Sequence, residues 1–351
     1  MSIKIAINGF GRIGRQLTRL LSSKFGAGFE LRAINSLETI DVASHLLRYD
    51  STQGRFDLPV KSAGHDLIIG QQAVRYLNQP DPRLLPWGQM GIDLVIEASG
   101  QLSDRPQAEL HLRAGAKKVL ITAAANSPDI TLCMGVNHTA YQPDRHHIVS
   151  GSSCTTNCLA PAAKLVNDRF GIQSSLVTFL HSYTSSQHLL DLAGHDLRRM
   201  RATVPNLMPT TTSAAWQIPE VIPELIGKFD AIAIRVPTPE VHLAYFTALL
   251  RSRATNAELL AAFNEAAAGH LHGILAVSDA PLVSIDYRTC TPSCVLDAPS
   301  IKVIDNMIQL LIWHDNESSY CKRMLDLVRY IAMPWGSPKP PESQRHPEVS
   351  G

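Results

Sequence analysis

The chain has 351 residues, of which 45% are hydrophobic and 18% are charged, and its formal net charge at pH 7 is +1. This composition is typical of a globular protein long enough for two domains, and it excludes a disordered chain. A net charge this close to zero provides no protein-wide field for nucleic acid or a membrane. We therefore predict neither partner and expect any anionic ligand to be held locally.

Two features of the sequence indicate the cellular compartment of the protein. The six cysteines stand at irregular spacing, which does not predict a disulfide framework. The first residues show no basic and apolar leader, and no run of about 18 apolar residues occurs. The sequence therefore predicts a cytoplasmic protein.

The N-terminal residues predict a strand, a glycine-rich turn and a helix. Residues 3–7 are mostly apolar, Gly9, Gly11 and Gly14 form a G-x-G-x-x-G motif, and residues 15–23 have helical spacing. The first two glycines let the backbone turn tightly and approach a pyrophosphate, which binds at the helix N-terminus. This arrangement predicts a Rossmann dinucleotide-binding domain.

The second predicted strand, residues 29–35, ends where such folds have an acid that accepts the ribose 2′-OH. Here the strand ends at Asn35 and is followed by Ser36, with Glu38 two residues further on. More elements follow in alternation, with strands at 91–97 and 117–122 and a helix at 104–114. The alternation predicts an α/β domain with a parallel sheet and right-handed crossovers.

Residues 152–158 read Ser-Ser-Cys-Thr-Thr-Asn-Cys and lie between an apolar run ending at Val149 and a predicted helix. Cys154 therefore lies at a strand-to-helix turn. Backbone N–H groups and the positive helix end lower the pKa of a thiol there, and the thiolate is the nucleophilic form. We predict that Cys154 is a nucleophile, because its hydroxyl and amide neighbours disfavour the alternative of a structural cysteine.

The pattern changes after residue 154. Alternating runs predict an open, mostly antiparallel sheet, with strands at 176–183, 229–236, 242–250, 282–287 and 307–313 and a helix at 256–268. The long polar and basic segment 185–209 is typical of a functional loop or an interface.

We predict three parts. Residues 1–153 form the Rossmann domain, which a helix at 318–333 completes, and residues 154–317 form an α+β catalytic domain with a mostly antiparallel sheet. Residues 334–351 are Pro-rich and predict a mobile tail of unassigned purpose.

The remaining cysteines do not predict a metal site. Cys290 and Cys294 are spaced C-x3-C with no second Cys/His pair nearby, so their role stays open. Cys158 lies one helical turn after Cys154, where it is either a small packed residue or a disulfide partner under oxidation.

Five motifs resemble the phosphorylating glyceraldehyde-3-phosphate dehydrogenase family, in the family's order and near its spacing over about residues 2–333. They are Asn-Gly-Phe-Gly-Arg-Ile-Gly-Arg at 8–15, the cysteine motif at 152–158, His-Ser-Tyr-Thr at 181–184, Arg-Val-Pro-Thr-Pro at 235–239 and Asp-Asn-Glu at 315–317. The resemblance implies a homotetramer that reversibly converts glyceraldehyde 3-phosphate and inorganic phosphate to 1,3-bisphosphoglycerate with a nicotinamide cofactor.

The resemblance also implies catalytic roles. Cys154 attacks the aldehyde to form a thiohemiacetal, His181 takes the proton, hydride leaves for the nicotinamide, and phosphate attacks the resulting thioester. An imidazole beside a thiol can form an ion pair with the thiolate and act as a general base near neutral pH. The backbone N–H of Cys154 and the ring of His181 can both stabilise the developing oxyanion.

Further roles come from the same resemblance. Thr184 and Arg235, assisted by Arg199, hold the substrate phosphate, since the planar guanidinium suits phosphate oxygens. The attacking phosphate is assigned to Ser153, Thr155, Thr212 and the backbone at Ser213. The cofactor-binding residues are Gly9, Phe10, Gly11, Arg12, Ile13, Gly14, Asn35, Ser36, Ser99, Thr122 and Asn316.

The chain departs from the family pattern mainly around the cofactor. Ser36 stands where the family has the ribose acid, and Pro80 stands where many members have an adenine-side arginine. Leu192-Ala193 is intermediate between the Leu-Pro of NAD-dependent members and the Ala-Ser of NADP-accepting members. Because Ser36 carries no charge that would repel a 2′-phosphate, we predict dual use of NAD and NADP within about tenfold.

Two alternative functions remain. Residues 196–199 and 272–274 also resemble erythrose-4-phosphate dehydrogenase, although that relative does not usually have a threonine at position 184. A non-catalytic, cofactor-binding regulatory descendant is the other alternative. Retention of Cys154, His181, Thr184 and Arg235 disfavours it, because such a descendant need not keep them.

Overall fold

The computed structural model describes residues 2–184, 187–194 and 196–335, which fall into two compact units. Of the described residues, the first unit contains the chain up to Leu132, His138–Ser152 and residues 321–335. The second contains Cys133–Asn137 and Ser153–Tyr320. Most of the predicted mobile tail, from residue 336 onward, lies outside the described residues.

The first unit is built on one sheet with the strand order β10-β11-β9-β8-β1-β2-β7-β6-β5, and β3 and β4 form a separate ribbon. Its strands are β1 (Ile3–Asn8), β2 (Phe29–Asn35), β3 (Tyr49–Asp50), β4 (Gly54–Arg55), β5 (Val60–Ala63), β6 (Asp66–Ile69), β7 (Gln72–Leu77), β8 (Leu94–Glu97), β9 (Lys118–Ile121), β10 (Ile130–Thr131) and β11 (Ile148–Ser150). Its helices are α1 (Arg12–Leu21), α2 (Ile40–Arg48), α3 (Trp87–Met90) and α4 (Arg105–Arg113).

The order in which the chain adds parallel strands to this sheet reverses at β1. The strand pairs in parallel with β2 on one side and β8 on the other, so the chain builds outward in both directions from it. Ligands of such sheets bind outside the carboxyl ends of the strands at this switch point. Strands β5, β6 and β7 are antiparallel and form one edge, which the sequence patterns did not predict.

The second unit contains a mixed sheet with the order β13-β14-β12-β15-β19-β17-β16, and β18 pairs with β19. Its strands are β12 (Ile172–Ser182), β13 (Met208–Thr210), β14 (Phe229–Val236), β15 (His242–Leu250), β16 (Leu275–Ser278), β17 (Cys294–Asp297), β18 (Lys302–Ile304) and β19 (Met307–His314). The helices are α5 (Cys154–Phe170), α6 (Ala214–Val221), α7 (Asn256–Ala268) and α8 (Ser318–Ala332), the last of which continues past the limit of this unit.

Most pairings in this second sheet are antiparallel, with parallel exceptions between β12 and β14 and between β16 and β17. The predicted fold class, a Rossmann domain plus an α+β domain with a mostly antiparallel sheet, is therefore confirmed.

The two faces of the second sheet differ. Phe179 and Phe246 point to one face and are fully buried in a core that α5, α6 and α7 complete. The opposite face exposes large apolar side chains, namely Leu176, Ile232, Tyr245 and Met307. Alternating burial along β12 and β15 produces this asymmetry, because successive side chains of a strand point to opposite faces.

One predicted strand is wrong. Residues 282–287 were expected to pair in the sheet, but Ser284–Tyr287 form a short 3-10 helix. The carboxylate of Asp286 accepts a 2.8 Å hydrogen bond from the backbone N–H of Val283 and closes this turn. Val283 and Ile285 are exposed, so their apolar alternation does not reflect a buried sheet face.

Within the described part of the chain, no helix combines the length and the apolar character needed to cross a membrane. All six cysteines are free thiols. Cys158 and Cys294 are fully buried, and the pKa of Cys290 is raised by burial to about 12. These three thiols are packed and protonated at neutral pH.

Candidate active site

Cys154 is the first residue of α5, directly after the N-cap residue Ser153. The Ser153 hydroxyl accepts a 3.2 Å hydrogen bond from the backbone N–H of Thr156, which starts the helix. Ser152, just before the cap, has a positive φ of 56°, a conformation that few non-glycine residues adopt. The turn therefore holds the cysteine at the positive end of a buried helix.

A row of basic side chains crosses four adjacent strands of the second sheet. The register places Arg235 of β14 opposite His181 of β12, and His242 of β15 opposite His314 of β19. The pairing of Leu180 with Leu243 brings His181 opposite His242 and joins the two halves. We call these four residues the basic row.

The basic row lies against the cysteine. The sulfur of Cys154 and one ring nitrogen each of His181 and His242 all lie within 4.8 Å of one another. The rings of His181 and His242 have centroids 3.4 Å apart, and those of His242 and His314 are 4.9 Å apart. A nucleophile and a candidate proton acceptor are therefore adjacent.

Burial controls the protonation of the thiol. The residue Cys154 is partly exposed, but its sulfur is surrounded by protein, and this loss of solvent raises the pKa of the thiol to about 11. The charge of Arg235 and the N–H groups of Thr155 and Cys154 act in the opposite direction. The expectation that the helix end lowers this pKa overall is therefore wrong, because desolvation outweighs it.

The neighbouring imidazole is also neutral. Burial, followed by the charge of Arg235, lowers the pKa of His181 to about 3. Burial also lowers the pKa of His314 to about 3 and that of His242 well below its usual range. The expected ion pair of thiolate and imidazolium is thus replaced by a neutral thiol beside a neutral base.

His181 and Arg235 contact each other directly. The Nδ1 atom of His181 lies 2.7 Å from the backbone oxygen of Ser182, and Arg235 donates a 2.9 Å hydrogen bond to the same oxygen. The guanidinium also contacts the His181 ring. This contact holds the positive charge of Arg235 next to the thiol and the imidazole.

The two arginines predicted to hold phosphate influence each other. The charge of Arg199 lowers the pKa of Arg235, although burial has the larger effect. Arg199 is on the long loop and donates a 2.9 Å hydrogen bond to the hydroxyl of Thr210. The backbone N–H of Thr184 donates to the side chain of Gln187. Repulsion between two guanidinium groups favours a bound anion.

Gln217 of α6 joins the predicted residues of the second phosphate site. Its side-chain oxygen accepts hydrogen bonds from the backbone N–H of Ser153 at 3.0 Å and from the Thr156 hydroxyl at 3.1 Å. The residue is fully buried. Gln217 thereby ties α6, whose N-cap is Ser213, to the start of α5.

The same cap region contains the predicted hydroxyl groups. The hydroxyl of Ser153 lies 3.1 Å from that of Thr155. The Thr212 hydroxyl accepts a 3.3 Å hydrogen bond from the N–H of Ala214 at the start of α6. Two helix N-termini with hydroxyl side chains form a suitable binding site for an inorganic anion.

Asn316 is oriented by its surroundings in the second unit. Its side-chain oxygen accepts a 3.0 Å hydrogen bond from the N–H of Val241 and a 3.4 Å hydrogen bond from the Ser182 hydroxyl. Asp315, fully buried beside it, accepts hydrogen bonds from the backbone N–H groups of Thr289, Glu317 and Ser318. These bonds fix the loop that carries Asn316.

The first unit contains a cleft at the β1 switch point. It includes six of the predicted cofactor residues, and its lining is Asn8, Gly9, Phe10, Gly11, Asn35, Ser36, Leu37, Glu38, Gln79, Pro80, Ser99, Gln101 and Leu102. Gly9 has a φ of +97°, and a Cβ there would lie 2.4 Å from the backbone of Ser99. Only glycine permits this close approach of two loops, as a dinucleotide turn requires.

The other predicted cofactor residues of this unit are not among the described residues that line the cleft. Arg12, Ile13 and Gly14 form the first turn of α1, and Arg12 is ion-paired with Asp50 at 2.5 Å. The hydroxyl of Thr122 donates a 2.9 Å hydrogen bond to the backbone oxygen of Glu97. The ion pair thus fixes the side chain of Arg12, and the hydrogen bond fixes that of Thr122.

A buried carboxylate organises the cleft. Glu97 is 2% exposed and accepts hydrogen bonds from the side chain of Asn8 at 2.6 Å and from the N–H of Ser99 at 2.7 Å. Its third contact is a ring nitrogen of His111, 3.0 Å away. Asn35 donates to Asn8 at 2.8 Å, so its side chain serves this network.

The cleft contains a carboxylate beside Ser36, where the sequence analysis placed the ribose. The hydroxyl of Ser36 contacts the side chain of Glu38, which lies two residues beyond the end of β2. Among the described residues that line the cleft, none is Lys or Arg, and Glu38 is the charged one. The cleft therefore has a negative charge where the sequence pattern lacks the usual acid.

Two family models match separate parts of this chain. Residues 3–105 match the family model of the glyceraldehyde 3-phosphate dehydrogenase NAD-binding domain, and residues 153–316 match the model of its C-terminal domain. The glyceraldehyde-3-phosphate dehydrogenase of Geobacillus stearothermophilus is 46% identical over 95% of this chain and 99% of that protein. The chain belongs to the glyceraldehyde 3-phosphate dehydrogenase family.

Other members of this family show similar agreement. Glyceraldehyde-3-phosphate dehydrogenase 1 of Bacillus subtilis is 45% identical over 95% of this chain and 99% of that relative. Chloroplastic glyceraldehyde-3-phosphate dehydrogenase A of Zea mays is 44% identical over 95% of this chain and 83% of the relative. The resemblance proposed from five motifs is thus confirmed over nearly the whole chain.

Several site residues were missed by sequence reasoning. His242 and His314 lie on strands whose register alone aligns them with His181, and no local motif marks them. Gln217 is one of two polar residues in a mostly apolar helix, and no motif marks it. Glu97 could have been predicted from the sequence, because an acidic residue at the end of a buried apolar strand needs hydrogen-bond partners.

A first prediction tests the charge of Arg235. Replacing Arg235→Leu removes the cation that lowers the pKa of Cys154, so that pKa rises and the thiolate fraction falls. Alkylation of Cys154 by iodoacetamide at pH 8, followed by mass spectrometry of its peptide, should slow about tenfold, the effect of one pKa unit. Arg235→Lys keeps the charge and should retain most of the rate. An unchanged or faster rate in Arg235→Leu contradicts the assignment.

Proposed function

We propose that this chain catalyses the reversible oxidation and phosphorylation of glyceraldehyde 3-phosphate to 1,3-bisphosphoglycerate. This proposal rests mainly on the position of Cys154 at the start of the buried helix α5, where its sulfur lies within 4.8 Å of a ring nitrogen of the neutral His181. Family membership supports the same activity, since the relatives named above are glyceraldehyde-3-phosphate dehydrogenases.

The proposed chemistry begins with transfer of the thiol proton to His181 as the sulfur attacks the aldehyde carbon. Because the pKa of His181 is lowered to about 3, the ring is unprotonated at pH 7 and available as the base. The resulting C–S bond is a thiohemiacetal on Cys154. Its oxygen can accept a hydrogen bond from the Cys154 N–H at the helix start.

The cofactor cleft of the first unit fits a dinucleotide. Gly9 permits the close backbone approach, and α1 starts directly after the glycine turn, so a pyrophosphate would meet its N-terminus. A dinucleotide bound in this cleft would supply the hydride acceptor that the oxidation of the thiohemiacetal to a thioester needs. In the second unit, Asn316 is held in one orientation, as a residue that binds the nicotinamide amide requires.

Two anion sites serve the two phosphates. Arg235, Arg199 and Thr184 hold the substrate phosphate, which places its aldehyde at Cys154. Inorganic phosphate binds at the caps of α5 and α6, near Ser153, Thr155, Thr212 and Ser213, and attacks the thioester carbon. Breaking the C–S bond then frees the Cys154 sulfur and forms the acyl phosphate.

The comparisons give the erythrose 4-phosphate alternative no support, because the relatives from Geobacillus stearothermophilus, Bacillus subtilis and Priestia megaterium are all glyceraldehyde-3-phosphate dehydrogenases. A regulatory descendant would not need the adjacency of Cys154, His181 and Arg235. We therefore retain glyceraldehyde 3-phosphate as the proposed substrate.

We propose that the protein is a homotetramer. The exposed apolar face of the second sheet, with Leu176, Ile232, Tyr245 and Met307, supports an interface there. The long loop exposes further leucines, among them Leu189 and Leu192. A cytoplasmic location stays a prediction from the six free thiols, which suit a reducing compartment.

The position of Glu38 bears on whether the protein prefers NAD or NADP. NAD use is supported by the match to the NAD-binding domain, and dual use of NADP stays a prediction based on Ser36. We propose that Glu38 replaces the missing ribose acid, because its carboxylate contacts the Ser36 hydroxyl at the cleft. A carboxylate there repels a 2′-phosphate, so NAD is preferred.

A second prediction tests covalent catalysis. Cys154→Ser should lower turnover more than about a hundredfold, equivalent to roughly 2.7 kcal/mol, because an alkoxide forms far less readily than a thiolate. NAD binding, measured by calorimetry, should survive, since the cleft residues are unchanged. Retention of more than about one hundredth of the wild-type rate would show that the covalent mechanism is wrong.

A third prediction concerns cofactor choice. Glu38→Gln should raise kcat/KM for NADP about tenfold and change that for NAD less, because the substitution removes the repelling charge. Glu30→Gln, an equal charge change at the partly buried start of β2, is the matched control and should leave the ratio of the two cofactors unchanged. If both variants have the wild-type ratio, Glu38 does not select the cofactor.

A further inference from the structure

The Cys154–His181–His242 cluster has a ligand set that the proposed dehydrogenase reaction does not explain. That reaction uses the sulfur and one imidazole, yet a second ring nitrogen, from His242, lies within 4.8 Å of both. We propose that these three residues form an inhibitory zinc site. The sequence patterns predicted no metal site, because the three ligands are far apart in the chain.

His242 provides the independent observation. It is fully buried, and its Nδ1 atom has no hydrogen-bond partner among the residues that the structure describes, whereas its Nε2 atom lies 2.8 Å from the Ser182 hydroxyl. A buried polar nitrogen without a partner costs free energy, which coordination to a metal ion removes. The bond from Nε2 to Ser182 holds the ring, as second contacts of metal-bound histidines do.

The donor atoms select the metal. One thiolate and two imidazoles suit Zn²⁺, which takes three protein ligands and leaves a fourth position open. Typical zinc–ligand distances of about 2.0–2.3 Å require donor atoms roughly 3.3–3.8 Å apart. The three atoms lie within 4.8 Å, so side-chain rotation toward a common centre brings them to these separations.

Neighbouring charges limit the affinity. Arg235 contacts the His181 ring and opposes a second cation, whereas loss of the thiol proton supplies one negative charge to the site. We therefore expect weaker binding than at structural zinc sites, which have several thiolates or no adjacent cation. The occupancy of such a site therefore rises and falls with the concentration of free zinc.

Binding has a direct chemical consequence. The S–H bond breaks, its proton goes to solvent, and an S–Zn bond forms without oxidation or reduction. The bound sulfur cannot attack a carbonyl, so zinc inhibits reversibly and competes with the aldehyde. Zinc binding itself does not depend on the proposed reaction, whereas the inhibition does.

The direct test is titration of the full-length protein with Co²⁺, which takes the place of Zn²⁺ and reports its ligands in its absorption spectrum. We expect a thiolate-to-cobalt band in the near ultraviolet and visible bands of tetrahedral coordination, both reversed by excess Zn²⁺. Cys154→Ser should abolish the thiolate band. The absence of that band in wild type, or its persistence in Cys154→Ser, overturns the proposal whether or not the protein is a dehydrogenase.

The contribution of His242 needs a matched control. His242→Phe should raise the dissociation constant for Co²⁺ at least about tenfold, and the zinc concentration for half-inhibition of its residual activity should rise equally. His314→Phe changes the next ring of the basic row, which does not belong to the ligand cluster, and should leave the cobalt affinity within about twofold of wild type.

A second variant keeps the test decisive if His242→Phe does not fold. His242→Asn retains a hydrogen-bonding side chain but removes the imidazole, and it should weaken cobalt binding to a similar extent. Protection of Cys154 from iodoacetamide by Zn²⁺, followed by peptide mass spectrometry, should weaken in parallel. Cobalt affinity and protection equal to wild type in the folded His242 variant overturn the three-ligand site.

Discussion

The site depends on the register of four strands in the second sheet. Pairing of β14, β12, β15 and β19 aligns Arg235, His181, His242 and His314 in one row, and α5 begins with Cys154 beside that row. A slip of one residue in any pairing would turn a side chain to the opposite face. The apolar packing that fixes this register, with Phe179 and Phe246 in the core, therefore also fixes the chemistry.

Desolvation then decides the charge state of the site. Four basic groups in a row would repel one another if all were protonated, and burial keeps the three imidazoles neutral while Arg235 remains the cation. The thiol is likewise neutral, with its pKa raised to about 11. Attack by sulfur and proton transfer to His181 are consequently expected to be coupled, and the bound phosphates would meet only the arginine charges and helix ends.

Local signals predicted much of the fold. The helix at 256–268 was predicted with its observed bounds, because Thr255 and Glu258 form a capping box and Gly269 ends the helix. The strand at 282–287 failed because apolar alternation does not show whether a segment is buried. Motifs pointed to Cys154 and His181, but the alignment of His242 and the link through Gln217 are long-range and leave no local pattern. The contact between the side chains of Ser36 and Glu38 could not be predicted, since the sequence shows both residues but not how they meet.

In the proposed reaction, the oxidised substrate stays bound to Cys154 until phosphate releases it. The most direct measurement mixes the protein with glyceraldehyde 3-phosphate and NAD in phosphate-free buffer, then records NADH formation and the intact mass. We predict a burst of about one NADH per chain, an acyl group on the Cys154 peptide, and resumed turnover when inorganic phosphate is added. Steady NADH formation without phosphate, or a burst with no modification of Cys154, would contradict the account.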